Sequence, residues 1–328
     1  MRQLARSASP AHLPWLVMAI VLVIVTAGAS MLALRIGAAE ATPEIIREIR
    51  APRIAMALLV GTGLAAAGVL LQGTMRNPLA DPALIGISSA AALGCVIAAV
   101  AGITLGSAGA ALAATVGAAA AMALVVWAAT REGRPEVVTL LLAGIAVAAF
   151  ASAAVGIAVN VIPDAGVRSL AFWTSGSLAL STWSTALYVA PFIVAGLAVA
   201  ATTARGLDVL ALGDRDATAV GIDVRRVRVT SLCAVVLLIG AGVAAVGVIA
   251  FIGLVIPHAV RGLVGPRTGP VLLVSSLTGA LILLVADTIA RAAAAPAEIP
   301  VGAITALLGA PVFFALLWRT RTRQGGWA

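Results

Sequence analysis

Residues able to perform metal, nucleophilic or acid–base chemistry are few in this chain and lie far apart. The sequence has two cysteines, Cys95 and Cys233, and two histidines, His12 and His258. Their spacing matches no metal-ligand pattern, and both thiols lie in apolar runs, where small buried apolar side chains are expected. The sequence therefore predicts no metal, no cofactor and no catalytic site in this chain.

One acidic residue, Asp287, falls within an apolar run, near its end and four residues before Arg291. Residues four apart lie on the same face of a helix, so the two side chains are expected to meet. Ion-coupled transporters usually carry several ionisable groups inside their spans. A single acid beside a base argues against proton coupling.

The basic residues exclude two further functions. The net charge is +8, and all 21 basic residues are arginines. A Walker A phosphate loop needs a lysine to reach the β- and γ-phosphates, so this chain cannot hydrolyse ATP in that way. In a membrane protein arginines gather at cytoplasmic loops, so the charge predicts membrane orientation rather than nucleic-acid binding.

The elements that must position these residues are membrane spans. The chain is 62% hydrophobic over 328 residues, whereas soluble domains are about half apolar. Since a span needs about 20 apolar residues, the pattern predicts an all-α polytopic membrane protein with about ten helices, as one transmembrane domain over residues 1–328. The spans are predicted at residues 14–35, 53–73, 84–102, 108–129, 137–160, 183–204, 228–247, 248–263, 270–289 and 301–318.

An even number of spans places both termini on one side, and most arginines then share that side if it is cytoplasmic. There, residues 206–227 form a charged connector. Asp214 and Asp216 open a short helical pattern, as acids favour a helix N-terminus, and Gly213 and Gly221 bracket it. From periodicity alone, a solvated loop is an equal alternative.

A polar turn separates the second and third predicted spans. Asn77, Pro78, Asp81 and Pro82 cannot continue a helix in lipid, because proline removes a backbone donor and restricts the preceding residue. A simple hairpin needs fewer polar residues. This turn is therefore expected to form a contacted surface.

On the opposite side, four arginines break the charge bias: Arg50, Arg53, Arg168 and Arg291. Nearby acids would allow ordinary surface pairing, namely Glu40, Glu44, Glu48 and Glu298. Phe172 and Trp173 follow Arg168 and have the pattern of interfacial aromatics.

Seven motifs occur in series and carry a family resemblance. They are Arg-Ala-Pro-Arg at 50–53; Leu-Gln-Gly at 71–73 with Arg-Asn-Pro-Leu-Ala-Asp-Pro at 76–82; Phe-Trp at 172–173 with Gly-Ser-Leu at 176–178; Leu-Ala-Leu-Gly at 210–213; Phe-Ile-Gly-Leu-Val-Ile-Pro-His at 251–258 with Arg261; Ala-Asp at 286–287 with Arg291; and Glu-Ile-Pro-Val-Gly at 298–302 with Gly-Ala-Pro-Val-Phe at 309–313. The chain resembles the transmembrane permease of type II ABC importers, the family that takes up iron–siderophores, haem and vitamin B12. It is most similar to the haem-uptake branch.

The resemblance implies a ten-helix subunit that works as a homodimer in the bacterial inner membrane, with both termini cytoplasmic. Two separate ATP-binding cassette subunits would bind ATP and Mg, and a periplasmic binding protein would deliver the substrate. Haem is expected first, a ferric siderophore second and cobalamin third. The alternative of another class is an ion-coupled secondary transporter, which predicts inverted repeats and ionisable groups at the midplane.

The resemblance also implies roles for individual residues. Arg50, Arg53 and Arg291 would dock the binding protein. Asn77 and Leu79 are gate candidates, and Arg168 is a candidate for the outer mouth of the pathway. The residues expected to couple the subunit to the ATPase are Gly213, Asp214, Arg215, Asp216, Ala217, Val220 and Gly221, with Ala217 and Val220 on one face of the short helix.

Overall fold

The computed structural model describes residues 14–37, 40–83, 85–104, 107–131, 134–135, 137–161, 173, 175–294 and 297–323. Within them the chain is a bundle of α-helices. The helices are α1 (Trp15–Arg35), α2 (Pro43–Ile45), α3 (Ala51–Thr74), α4 (Ile87–Val100), α5 (Ala108–Ala129), α6 (Val137–Val161), α7 (Trp183–Leu210), α8 (Asp214–Ala219), α9 (Val224–Val246), α10 (Ile252–Val264), α11 (Thr268–Ala293) and α12 (Val301–Arg323). A π-helical turn, Ile46–Arg50, joins α2 to α3.

The helices confirm the expected fold class. Among the described residues, seven helices are long and apolar enough to cross a membrane, and three shorter apolar helices accompany them. Each predicted span corresponds to one of these ten. The only strands in the described part are Thr130–Arg131 and Arg134–Pro135, a two-residue antiparallel pair between α5 and α6.

Helix α3 is the centre of the bundle. It packs against α7, α9, α10 and α11. A small residue allows its contact with α10, because a Cβ placed on Gly68 would lie 1.9 Å from the carbonyl oxygen of Gly253. Such close backbone approach is typical of helices packed in lipid. Helix α1, by contrast, is peripheral. Its buried residues are Ala19 and Ala33, and it packs mainly on α11.

The long apolar stretch of residues 228–263 is divided after Val246, where α9 ends, and α10 begins at Ile252. Trp173 and residues 175–178 lie at this break. The Ser177 N–H donates to the Val246 carbonyl at 2.8 Å, and the Gly302 N–H donates to the Gly176 carbonyl at 2.9 Å. These bonds satisfy backbone groups that the helix ends leave free.

Two expectations from the sequence are corrected here. Trp173 is not an interfacial aromatic, because it is 2% exposed and packs into the core beside the helix break. Cys95 is buried as expected, whereas Cys233 lies on the exposed surface of α9. Both corrections arise because burial depends on which helices pack together, which local hydropathy does not specify.

Candidate functional site: the connector face and the outer arginine cluster

The charged connector contains a helix, so the solvated-loop alternative is wrong. Helix α8 has Asp214 and Asp216 in its first turn. Gly213 and Gly221 border it with φ angles of 123° and 84°, conformations that favour glycine. The glycines therefore allow the chain to turn sharply into and out of α8.

The two apolar positions expected on one face of α8 have different environments. Ala217 is completely buried, but α8 ends at Ala219, so Val220 leaves that face and is 69% exposed. Leu212, just before the helix, is 72% exposed. The connector thus presents two large apolar side chains to its surroundings.

Asp214 joins the connector to the rest of the subunit. Its two carboxylate oxygens accept hydrogen bonds from Nη2 of Arg228, on α9, at 2.9 and 3.0 Å. Nη2 of Arg76 lies 3.5 Å from Asp214 Oδ1. Sequence reasoning placed Asp214 on the surface towards a partner and missed both contacts, because Arg76 is distant in the chain and Arg228 lies on the next helix, α9.

Arg76 belongs to the α3–α4 loop, which contains the two gate candidates. Asn77 Oδ1 accepts a hydrogen bond from the Leu79 N–H at 2.9 Å, so the side chain stabilises the turn that follows. Both residues are partly exposed. The predicted polar turn is therefore an ordered structure, and it contacts α8 through Arg76.

A cavity of about 650 Å³ opens beside this loop, on the face of the bundle that carries α8, here called the connector face. Arg76, Arg261 and Arg267 line it together with Asp208. Asp208, at the end of α7, accepts a hydrogen bond from the Thr268 N–H at 2.6 Å and so caps α11. The cavity is basic overall.

The other end of α3 carries the second group of interest, the outer arginine cluster (Arg50, Arg53, Arg291, Asp287 and Glu298). Arg53 donates from Nε to both oxygens of Asp287, at 2.9 and 3.0 Å, and from Nη1 to both oxygens of Glu298, at 2.9 and 3.0 Å. Arg291 Nε lies 3.3 Å from Asp287 Oδ2, which confirms the expected contact between residues four apart.

The cluster also fixes the end of α1. Arg50 Nη1 donates to the carbonyl of Leu34 at 2.8 Å, and Arg291 donates to those of Ala33 and Ile36 at 3.3 Å. The last carbonyls of a helix have no partner within the helix. The positive charges of Arg50 and Arg291 also interact favourably with the dipole of α1, because they lie at its C-terminal end.

The three arginines expected to dock a partner are thus largely internal. Arg50, Arg53 and Arg291 are 3%, 4% and 7% exposed, whereas the side chain of Glu298 is 37% exposed. Of the nearby acids proposed for surface pairing, Glu298 does pair, with Arg53. The docking role itself stays a prediction.

Arg168 and Phe172 lie outside the described residues, so the expected outer mouth has no structural description. Among the residues that are described, no group of three His, Cys, Asp or Glu side chains could hold a metal ion. His258 lies in α10, three residues before Arg261.

A helical bundle with ten apolar helices among the described residues, a charged connector at one end of α3 and a charged cluster at the other is typical of a multi-pass membrane protein. The FecCD transport family matches residues 13–319, and the chain belongs to that family as the transmembrane permease of a type II ABC importer.

Individual relatives agree with this assignment. The chain is 41% identical to the haemin transport system permease of Yersinia pestis over 281 residues, which cover 85% of this chain and 84% of the relative. It is 42% identical to the cobalamin import system permease of Halobacterium salinarum over 287 residues, or 87% of this chain and 76% of the relative. A solved structure described as an inward-facing metal-chelate type ABC transporter superposes with a TM-score of 0.82 at 30% identity, covering 92% of this chain and 99% of that one.

Proposed function

We propose that this chain forms a homodimeric pathway that imports haem across the bacterial inner membrane, with both termini in the cytoplasm. Two ATP-binding cassette subunits would supply the energy, and a periplasmic binding protein would deliver haem. The chain would be a transport subunit with no catalytic site and no cofactor of its own. The mechanism is alternating access, in which ATP binding to the partner moves α8 and the pathway opens in turn to each side.

The observation that carries this proposal is the structure of the connector. Leu212 and Val220 are exposed on either side of a short helix whose own core contact is Ala217. Exposed apolar side chains near a charged rim favour a protein interface. The exposed carboxylate of Asp216 and guanidinium of Arg215 supply the polar part of that surface.

The outer arginine cluster supports docking of a binding protein at the opposite face. It combines three guanidinium groups with two carboxylates, and Glu298 is its exposed acid. A carboxylate on the binding protein would replace Glu298 at Arg53 and form the same bidentate contact. Because a rim ion pair contributes little net free energy, docking would be specific and still reversible.

The second copy would cover the apolar faces of α6 and α12. Leu142 and Phe150 on α6 are 63% and 72% exposed, and Leu307 and Phe314 on α12 are 75% and 66% exposed. The gate candidates Asn77 and Leu79 would then lie at the cytoplasmic end of the shared pathway.

Haem is preferred because of the similarity to the haemin permease and because Arg168 lies in a segment that resembles the haem-uptake branch. An arginine there would attract the propionates of haem or an anionic ferric siderophore. A ferric siderophore is the second candidate and cobalamin the third, although the cobalamin permease has nearly the same identity as the haemin permease.

The test is reconstitution with an ATP-binding cassette subunit and a binding protein in proteoliposomes. Haemin uptake should require ATP, exceed ferric hydroxamate and cobalamin uptake, and fall in Arg168→Ala. Val220→Asp should abolish co-purification of the ATPase, whereas Leu263→Asp should not; Leu263 is a similarly exposed apolar residue at the end of α10, 51% exposed. Uphill haemin uptake by this chain alone without nucleotide would contradict the proposal, and preferred cobalamin uptake would reassign the substrate.

A further inference from the structure

Arg76 occupies a backbone position that normally belongs to glycine. Helix α3 ends in a Schellman motif, because the Asn77 N–H donates to the Gln72 carbonyl and the Arg76 N–H to the Gly73 carbonyl, at 3.1 and 3.3 Å. Arg76 is the left-handed residue of that motif, with a φ of 47°. A side chain with a Cβ is disfavoured in this conformation. Such an outlier calls for a reason beyond the turn itself.

The side chain supplies a reason, because it extends to the connector. Arg76 Nη2 lies 3.5 Å from the carboxylate of Asp214, the first residue of α8. Asp214 is also bound by Arg228, whose side chain is only 14% exposed. Arg228 thus anchors the carboxylate in the bundle, and the more exposed Arg76, at 45%, is the contact that can lengthen or shorten.

On the loop side, Arg76 lies in the same hydrogen-bonded turn as the gate candidates. Asn77 is the next residue, and its side chain holds the Leu79 N–H at 2.9 Å. The backbone of the turn is fixed by the two Schellman bonds. Movement of the Arg76 backbone would therefore also displace Asn77 and Leu79, because all three residues belong to the same hydrogen-bonded turn.

We propose that Asp214 and Arg76 form the electrostatic link through which displacement of α8 moves the α3–α4 loop of the same subunit. The inference rests on the proposed function, since it requires that an ATPase moves α8. Arg76 acts as a positioning residue: it touches neither nucleotide nor substrate. The ion pair connects the surface that receives the partner with the loop that carries Asn77 and Leu79.

A purely structural role for Arg76 makes the opposite prediction for one variant. Arg76→Gly removes the guanidinium and places the preferred residue at the left-handed position, so the turn itself should be at least as stable. If Arg76 served only the turn, this variant would be neutral or improved. If Arg76 links α8 to the loop, Arg76→Gly uncouples them while the fold remains intact.

The experiment follows the loop directly and needs no substrate. The chain carries Leu79→Cys in a background with Cys95→Ala and Cys233→Ser, and it is assembled with its ATP-binding partner in nanodiscs. The rate of maleimide labelling of the introduced thiol is measured without nucleotide and with ATP plus vanadate. Arg76→Gly, Arg76→Lys and Arg205→Ala are compared, the last as a charge control, because Arg205 is an exposed arginine on α7 outside the connector.

We expect nucleotide to change the labelling rate in the reference chain and in Arg205→Ala. In Arg76→Gly the nucleotide-dependent change in labelling rate should fall about fivefold. This is the size of effect expected when one exposed ion pair that couples two sites is lost. Arg76→Lys, which keeps the charge, should recover most of it. An undiminished response in Arg76→Gly would overturn the link alone. No response in the reference chain would overturn the proposed ATP-driven mechanism and the link with it.

Discussion

Arg53 and Asp287 form a bidentate ion pair inside the bundle although 234 residues separate them in the chain. Arg53 Nε lies 2.9 and 3.0 Å from the two carboxylate oxygens, and Nη2 lies 2.9 Å from Oδ1. The side chains are 5% and 0% exposed. The pair joins the start of α3 to the end of α11, and Arg291 and Glu298 extend it towards the surface.

Loss of charge at Asp287 should destabilise the protein more than loss of charge at Glu298. Asp287→Asn leaves Arg53 and Arg291 beside a neutral amide in a buried site. Loss of one partner of a buried ion pair lowers the free energy of unfolding by about 3–5 kcal/mol. Glu298→Gln affects a partly exposed pair and should cost about 1 kcal/mol or less. Thermal unfolding of the purified protein in detergent measures both.

Glu48→Gln is the control for that comparison, because Glu48 pairs with Arg47 and its side chain is 65% exposed. It should leave the unfolding midpoint unchanged. Equal shifts for Asp287→Asn and Glu298→Gln would show that burial does not determine the strength of these pairs.

Gly68→Ala should weaken the contact between α3 and α10. The added methyl group would lie 1.9 Å from the Gly253 carbonyl oxygen, so the two helices must separate. Overpacking of this kind costs about 1–3 kcal/mol. The folded fraction that survives heating, measured by size-exclusion chromatography, should decrease.

Gly73→Ala is the matched control on the same helix. Its methyl group would meet Leu207 Cδ1 at 3.5 Å, an ordinary contact, so heat resistance should be retained or rise slightly. A similar loss in both variants would attribute the effect to glycine content in α3 and not to the contact with α10.

Asp208→Ala should loosen the first turn of α11. The variant removes the acceptor that binds the Thr268 N–H at 2.6 Å, and loss of a helix cap costs about 1 kcal/mol. Amide hydrogen exchange at the start of α11 should become faster. Asp208→Asn keeps an acceptor oxygen and should exchange more slowly than Asp208→Ala, whereas equal exchange in the two variants would contradict a capping role.

Arg50→Gln should release the end of α1 from the bundle. The Leu34 carbonyl loses a charged donor at 2.8 Å, and α1 has few buried residues to compensate. Hydrogen exchange and proteolysis should increase near residues 33–37. Arg47→Gln is the control, because the Arg47 side chain is 83% exposed and pairs with Glu48. Unchanged protection in Arg50→Gln would mean that apolar packing alone holds α1.

Local features of the sequence were sufficient to predict the all-α class and the approximate spans, whereas they left the short connector helix and a solvated loop as equal alternatives. Hydropathy over about 20 residues is a local property, and it identifies a span wherever that span packs. Gly213, Gly221 and the acids between them gave the position of α8 within a few residues, and the family resemblance favoured the helix over the loop. The seven motifs in series led to the family, which the comparison with residues 13–319 confirms.

The tertiary structure alone decided which charges meet. Sequence reasoning found Arg53, Arg76 and Asp214, but it could not show that Arg53 binds Asp287 or that Asp214 binds Arg228 and Arg76. It also gave Trp173 an interfacial position and put Val220 on the face of Ala217. The Arg53–Asp287 pair and the burial of Trp173 depend on the packing of segments that are distant in the chain, whereas Val220 leaves the face of Ala217 because α8 ends at Ala219. A charge buried in a bundle must take whichever partner that packing brings within reach.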